Sequence, residues 1–403
     1  MVIMVKQPLA SSLSCFVFCS FLIFGPKIGY ADLSLLVPTL VFLLLGFSSH
    51  HPARVDGDLL KIGGFVFLLL TYQLVIQSFT AQFDVESSLR LARAGVTCLL
   101  LASAIGSRVF SSDAIVGSTY CALAVNSTLI IFAALFEPIN MLMSEISGND
   151  RIRHLRASGL LSGFDMAGLI ALIGLLMTIC DVPRIPSRLT RGVMMTLFVV
   201  SIYFTSRVTM AIAAVIISIY ILRLALSRKV GILSKIPMVA SFVAIGLYVL
   251  YDALLPLLEV TFNLGFFDVS DSDRLDILSR HAQQDETRFL WSDMIFFPDN
   301  LTEIVFGTGA EQVFSDVGYV KDVYRYGIIG VIFSIFIYVK IYSKGRQYVK
   351  KKSENNFAGL LLIIYVLIFS LTWKNNYFFT RNIFPLVLLL GFSRKMVSSF
   401  GKT

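Results

Sequence analysis

The sequence predicts an all-α, polytopic integral membrane protein with about twelve transmembrane helices and one long extramembrane loop. Three observations predict it. The 403 residues are 56% hydrophobic and only 15% charged, with a mean hydropathy of +0.78, far more apolar than a soluble domain requires. The apolar residues fall in unbroken runs of about twenty, the length of a helix that crosses a bilayer. A single stretch of about seventy residues, Pro256 to Arg325, interrupts this pattern and holds about half of the acidic side chains.

Hydrocarbon offers no water to bond backbone groups, so the runs must be helices or a closed barrel. Their length and continuity select helices. They lie near residues 8–25, 32–48, 60–79, 91–107, 114–135, 164–180, 191–205, 208–226, 236–255, 325–342, 357–373 and 379–393. The chain divides accordingly into 1–255 with nine spans, a loop over 256–325, and 326–403 with three spans and a tail. The first run follows a lone Lys6 and ends in no small-x-small cleavage pattern, so it is expected to remain as a helix. Only Ser206 and Arg207 separate the seventh and eighth runs, which demands a tight turn.

Lys and Arg accumulate in cytoplasmic loops. With the N-terminus inside, the inner segments carry Arg54, Lys61, Arg108, Arg184, Arg188, Arg191, Arg228, Lys229 and Lys235. The loop after the tenth span adds Lys344, Arg346 and Lys350 to Lys352, and the tail adds Arg394, Lys395 and Lys402. Both termini are therefore expected in the cytoplasm and the long loop outside. Two outer groups break the trend: Arg90 with Arg93, and Arg151 with Arg153 and Arg156. Arginines on that face need another reason, and a bound anion supplies one.

The net charge of +8 follows from these loop residues. No basic stretch interleaves with aromatics as a strand-binding groove does, so a nucleic-acid partner is not expected. Cys15, Cys19, Cys98, Cys121 and Cys180 lie in or beside apolar runs, and none has zinc-ligand spacing. No Gly-rich phosphate loop is present, and Gly307-Thr308-Gly309 is too short for one. No metal or other cofactor is expected.

Candidate chemistry gathers around the loop. Arg207 follows Thr205 and Ser206 between two apolar runs; it either pairs with a group such as Asp165, snorkels to headgroups, or faces a polar cavity. Arg156 opens Arg156-Ala157-Ser158-Gly159 just before the sixth span. Thr287 to Trp291 reads as a short helical segment that presents Arg288 and Trp291. Guanidinium forks bind phosphate oxygens bidentately, so Arg156, Arg207 and Arg288 suit a diphosphate headgroup. Phe306 to Gly309 is a turn. Beyond it, Asp316 is either a general base or a helix cap, and Tyr319 either meets a sugar or belongs to an interfacial aromatic belt. His281 is the loop's only histidine.

The order of these features resembles the bacterial O-antigen polymerases and, more distantly, the O-antigen ligases. The resemblance runs over roughly residues 150 to 335. Arg156 to Gly159, followed by Gly163-Phe164-Asp165, resembles the family's Arg-x-x-Gly lead into a span. Thr205-Ser206-Arg207 resembles its Ser-Arg turn, and Arg288 with Trp291 the Arg-and-Trp stretch of its periplasmic loop. Gly307 to Gly309, Asp316 to Tyr319 and Tyr326 to Gly330 resemble the segment that closes that loop. The resemblance implies a C-type glycosyltransferase-like enzyme of the bacterial inner membrane. Such an enzyme transfers a growing glycan from undecaprenyl diphosphate to the sugar of a new lipid-linked repeat unit. It implies catalytic roles for Asp316 and Arg288, diphosphate binding by Arg156, Arg207 and Arg288, and sugar contacts from Tyr319 and Trp291. It also implies membrane lipid as a partner, with a polysaccharide chain-length regulator as a further one. The ligases use a histidine late in the loop, where this chain has Asp316 and Tyr319, and that difference favours the polymerases. A flippase for lipid-linked sugars is the other class; it would show internal repeats and paired broken helices.

Overall fold

The computed structural model describes residues 9–28, 31–48, 54–81, 83–107, 109–147, 156–182, 185, 187–226, 297–298, 300–310, 317–348, 355–372 and 377–393. They form two compact units, Met1–Thr205 with Phe297–Thr403, and Ser206–Phe296. The first contains α1 (Leu9–Phe24), a two-residue hairpin of β1 (Lys27–Ile28) and β2 (Ala31–Asp32), α2 (Leu33–Ser48), α3 (Gly57–Thr80), α4 (Val85–Gly106), α5 (Ser112–Leu135), α6 (Glu137–Ser147), α7 (Phe164–Ile179) and α8 (Arg188–Tyr203). It continues after the second unit with α10 (Leu301–Phe306), α11 (Gly318–Tyr348), α12 (Asn355–Leu371) and α13 (Ile383–Ser393). The described part of the second unit is the helix α9 (Arg207–Leu226).

The protein is an all-α membrane protein. Among the described residues α3, α4, α5 and α11 are long and apolar enough to cross a bilayer, and α1, α2, α7, α12 and α13 contain shorter apolar helices. A helix occupies eleven of the twelve apolar segments predicted; the segment 236–255 and most of the loop lie outside the described residues. The hydropathy pattern misses α6 and shortens α4 and α11: α4 begins at Val85, six residues before its apolar run. α6 is a short amphipathic helix that is too polar to register as a span. α11 begins at Gly318, seven residues before the apolar run, because its charged Asp322 and Arg325 pair within the helix.

Between helices in lipid, association rests on close packing, which small residues permit. α3 and α4 form an antiparallel hairpin in which a Cβ on Gly95 would meet the Phe67 ring at 2.7 Å and one on Gly63 would meet Cys98 at 3.1 Å. α7 and α8 are fitted the same way, with Phe198 filling the space above Gly174. α13 lies at the centre against α1, α4, α5 and α11, and every one of its side chains is buried. At one end of the bundle Lys344 Nζ lies 3.2 Å from Asp58 Oδ1, and the Tyr348 hydroxyl donates to the same carboxylate. The opposite end collects the site described next.

Candidate functional site

α11 is two helices joined at a break. Gly327 has φ 63° and ψ −180°, which no other residue type adopts without strain. The break is filled by the turn after α10. Thr308 donates its N–H (2.6 Å) and its hydroxyl (3.0 Å) to the Tyr324 carbonyl. The Tyr72 hydroxyl donates to the carbonyls of Phe306 (3.2 Å) and Tyr326 (3.3 Å). Gln77 Nε2 donates to the Gly309 carbonyl (2.9 Å), and the Thr80 hydroxyl to that of Thr308 (2.8 Å). The expected glycine turn is thus real: Gly307 and Gly309 have φ of 87° and 83°, and their backbone runs directly against Tyr326 and Gln77.

The half-helix before the break carries Asp322 and Arg325 one turn apart. Arg325 Nη1 lies 3.5 Å from Asp322 Oδ1, and both side chains are 1% exposed. Arg325 is within electrostatic reach of Arg90, and Arg90 of Arg93, its neighbour one turn along α4. Arg93 Nη1 lies 3.5 Å from Asp32 Oδ2 at the start of α2, and Arg93 is also within reach of Arg381. Arg90, Arg93, Arg325 and Arg381, from α4, α11 and the turn before α13, therefore lie toward the same end of the bundle. Arg90 pairs at 3.7 Å with Glu86, whose side chain is 89% exposed, so that pair neutralises little. Asp32 and Asp322 pair with Arg93 and Arg325, and Asp84 and Glu86 lie within electrostatic reach of Arg325.

Arg381 is held by strain. The buried Phe379 adopts φ 53°, an outlier for a bulky side chain. Its N–H donates to the Tyr338 hydroxyl at 3.3 Å, and its ring sits against Tyr338 and Phe384. Asn382 donates to the Ile23 carbonyl at the end of α1. Asp32 lies within electrostatic reach of Arg381. The Arg381 Nε is buried with no hydrogen-bond partner among the described residues.

Of the residues singled out in the sequence, Asp316, Arg288 and Trp291 lie outside the described residues, as does His281. Arg207 opens α9 in the second unit, with an exposed side chain. Arg156 sits half-buried on the segment leading to α7, where its carbonyl accepts from Asn140 Nδ2 at 3.2 Å. That segment is clipped to α5, since Asn126 Oδ1 accepts the Leu160 N–H at 3.0 Å. Gly159, at φ 60°, leaves the room for this contact, so the glycine of the Arg-x-x-Gly motif is explained by close approach to Asn126. Tyr319 is half-buried; its hydroxyl donates to the Phe369 carbonyl at 2.8 Å and its ring meets Phe378 edge-on. Arg90 and Arg93 were flagged by their place against the charge rule. Arg325 and Arg381 were not, although a charge at or within an apolar run is itself a signal of function.

Compared with known proteins, the chain matches no family model and no curated protein.

Proposed function

We propose that the protein is a glycosyltransferase of the bacterial inner membrane that polymerises undecaprenyl-diphosphate-linked oligosaccharide units into O-antigen or a related surface polysaccharide. It has about twelve spans, with the loop 256–325 in the periplasm and both termini in the cytoplasm. The observation that carries this reading is the cluster of Arg90, Arg93, Arg325 and Arg381 at one end of the bundle. When a sugar hydroxyl attacks the anomeric carbon, the bond to the diphosphate breaks and negative charge develops on the departing oxygen. Fixed guanidinium groups at the membrane face stabilise that charge. They also hold the headgroup of a lipid whose tail is in the bilayer. Arg156, Arg207 and Arg288 keep the role in diphosphate binding that the sequence resemblance implies for them. Asp316 takes the proton from the acceptor hydroxyl, and Tyr319 and Trp291 position the sugars.

One observation favours a second reading, transport of the same lipid-linked sugars: the break at Gly327 resembles the discontinuous helices of transporters. Surface polysaccharide from a deletion strain separates the readings. Loss of a polymerase leaves a single repeat unit on the lipid A core, and loss of a flippase traps the units inside. A full-length polymer in the deletion strain would overturn both.

A further inference from the structure

The seam between α3 and α11 is lined with aromatic rings. Phe65 of α3 meets Phe333 and Phe336 of α11 edge-on, with ring centroids 6.0 and 5.5 Å apart, and Phe333 stacks on Phe336 at 6.1 Å. Phe336 is exposed, and so are Leu68 and Ile332, one turn further along the same two helix faces. The helices run antiparallel, since Tyr72 bonds the Tyr326 carbonyl toward one end and Lys344 meets Asp58 at the other. Lys61, one turn before Phe65, and Lys340, one turn after Phe336, therefore stand at the same end of the aromatic strip. Both are exposed.

Neither lysine has a carboxylate partner among the described residues, and Asp58, one turn from Lys61, is engaged by Lys344 at 3.2 Å and by the Tyr348 hydroxyl. The Lys340 ammonium sits 5.1 Å from the centroid of the Phe336 ring. Long side chains on a helix lean toward its N-terminus, so Lys340, near the C-terminal end of α11, leans back along the apolar surface and away from the nearer water. Two such cations at the edge of an apolar strip call for an anion that belongs to the membrane itself.

We infer that Lys61 and Lys340 bind the phosphate of one anionic glycerophospholipid, whose acyl chains lie along Phe65, Phe333 and Phe336. In the orientation proposed above, this lipid belongs to the cytoplasmic leaflet. The residue type suits the ligand. An ammonium is a point charge that a singly charged phosphodiester satisfies, whereas a diphosphate is better matched by the guanidinium forks at the opposite end of the bundle. The lipid neutralises both ammonium groups and covers the exposed rings of the seam. This holds whatever reaction the protein catalyses.

The test is native mass spectrometry of the full-length chain in detergent, titrated with dioleoyl phosphatidylglycerol and, separately, with dioleoyl phosphatidylcholine, which has the same acyl chains and no net charge. The native chain should retain one phosphatidylglycerol with about 10-fold preference. Lys61→Gln and Lys340→Gln should each weaken its binding about 5-fold, the effect of losing one cation at a membrane surface, and leave phosphatidylcholine unchanged. Lys61→Arg/Lys340→Arg should keep it. Arg346→Gln removes the same charge from an exposed position at the same end and should change nothing. The inference is overturned if the native chain retains the two lipids equally, or if either folded glutamine variant keeps native affinity. It is overturned equally if Arg346→Gln weakens binding as much as a lysine change does, which would mean diffuse attraction only, or if neither glutamine variant folds. Competition by undecaprenyl diphosphate for the same two lysines would also overturn it and make the seam a second substrate site.

Discussion

Gly327 lies so close to Val305 that a Cβ on the glycine would stand 2.2 Å from the Val305 carbonyl oxygen. Neither backbone can retreat. Gly307 is in equal contact with Tyr326, and Thr308 is bonded to the Tyr324 carbonyl. The break in α11 and the turn after α10 are one device, and it sets the direction of the half-helix that carries Arg325.

Gly327→Ala should therefore destabilise the protein by about 2 kcal/mol or more, from the positive φ and the clash together. Gly359→Ala is the control. Its Cβ would meet nothing within 4 Å, and it lies inside α12, so it should be neutral or stabilising by up to about 1 kcal/mol. Thermal unfolding of the two variants in the same detergent checks the difference. Equal melting temperatures would mean that the break is not a fixed feature.

The arginine cluster makes a second prediction. Arg93→Gln and Arg381→Gln should each slow polymerisation by roughly 10²-fold, the usual effect of removing one preorganised donor from developing charge. Lysine should rescue poorly, because a point charge cannot form the fork. Arg188→Gln, an exposed change at the start of α8, should have no such effect. The assay is polymer length in cells that express each variant at native levels. Full-length polymer with Arg381→Gln would remove that residue from the site.

The helices were legible in the sequence because a bilayer leaves the backbone no alternative. Apolar runs mark where they lie to within a few residues, as at α1, α2, α5 and α7. What hydropathy could not supply is the start of α11, since Lys321, Asp322 and Arg325 read as loop until the pairing of Asp322 with Arg325 is seen. The same averaging hid Arg381 within an apolar run. Arg90 and Arg93 were visible because orientation gave an independent expectation that they violated. Their convergence with Arg325 and Arg381 was not visible, as it joins positions more than two hundred residues apart in the chain.

Orientation is a third prediction. Alkaline phosphatase fused after Gln284 should be active, and fused after Gln347 at the far end of α11 it should be silent. This follows from the basic residues Lys344, Arg346 and Lys350 to Lys352, which belong in the cytoplasm. The reverse pattern would place the arginine end of the bundle inside and remove the proposed mechanism.

The last prediction concerns the acceptor. Attack by a sugar hydroxyl is faster if a carboxylate takes the proton as the new bond forms. Asp322 is committed to Arg325 within the buried half-helix, which suits it to hold a charge rather than to meet a sugar. Asp316 precedes that half-helix by two residues and lies in the sequence between the glycine turn and the arginine that the cluster uses. Asp316→Asn should keep the fold and the binding of undecaprenyl diphosphate while slowing polymerisation by roughly 10²- to 10⁴-fold. Undiminished polymer with Asp316→Asn would leave that residue only the role of a helix cap.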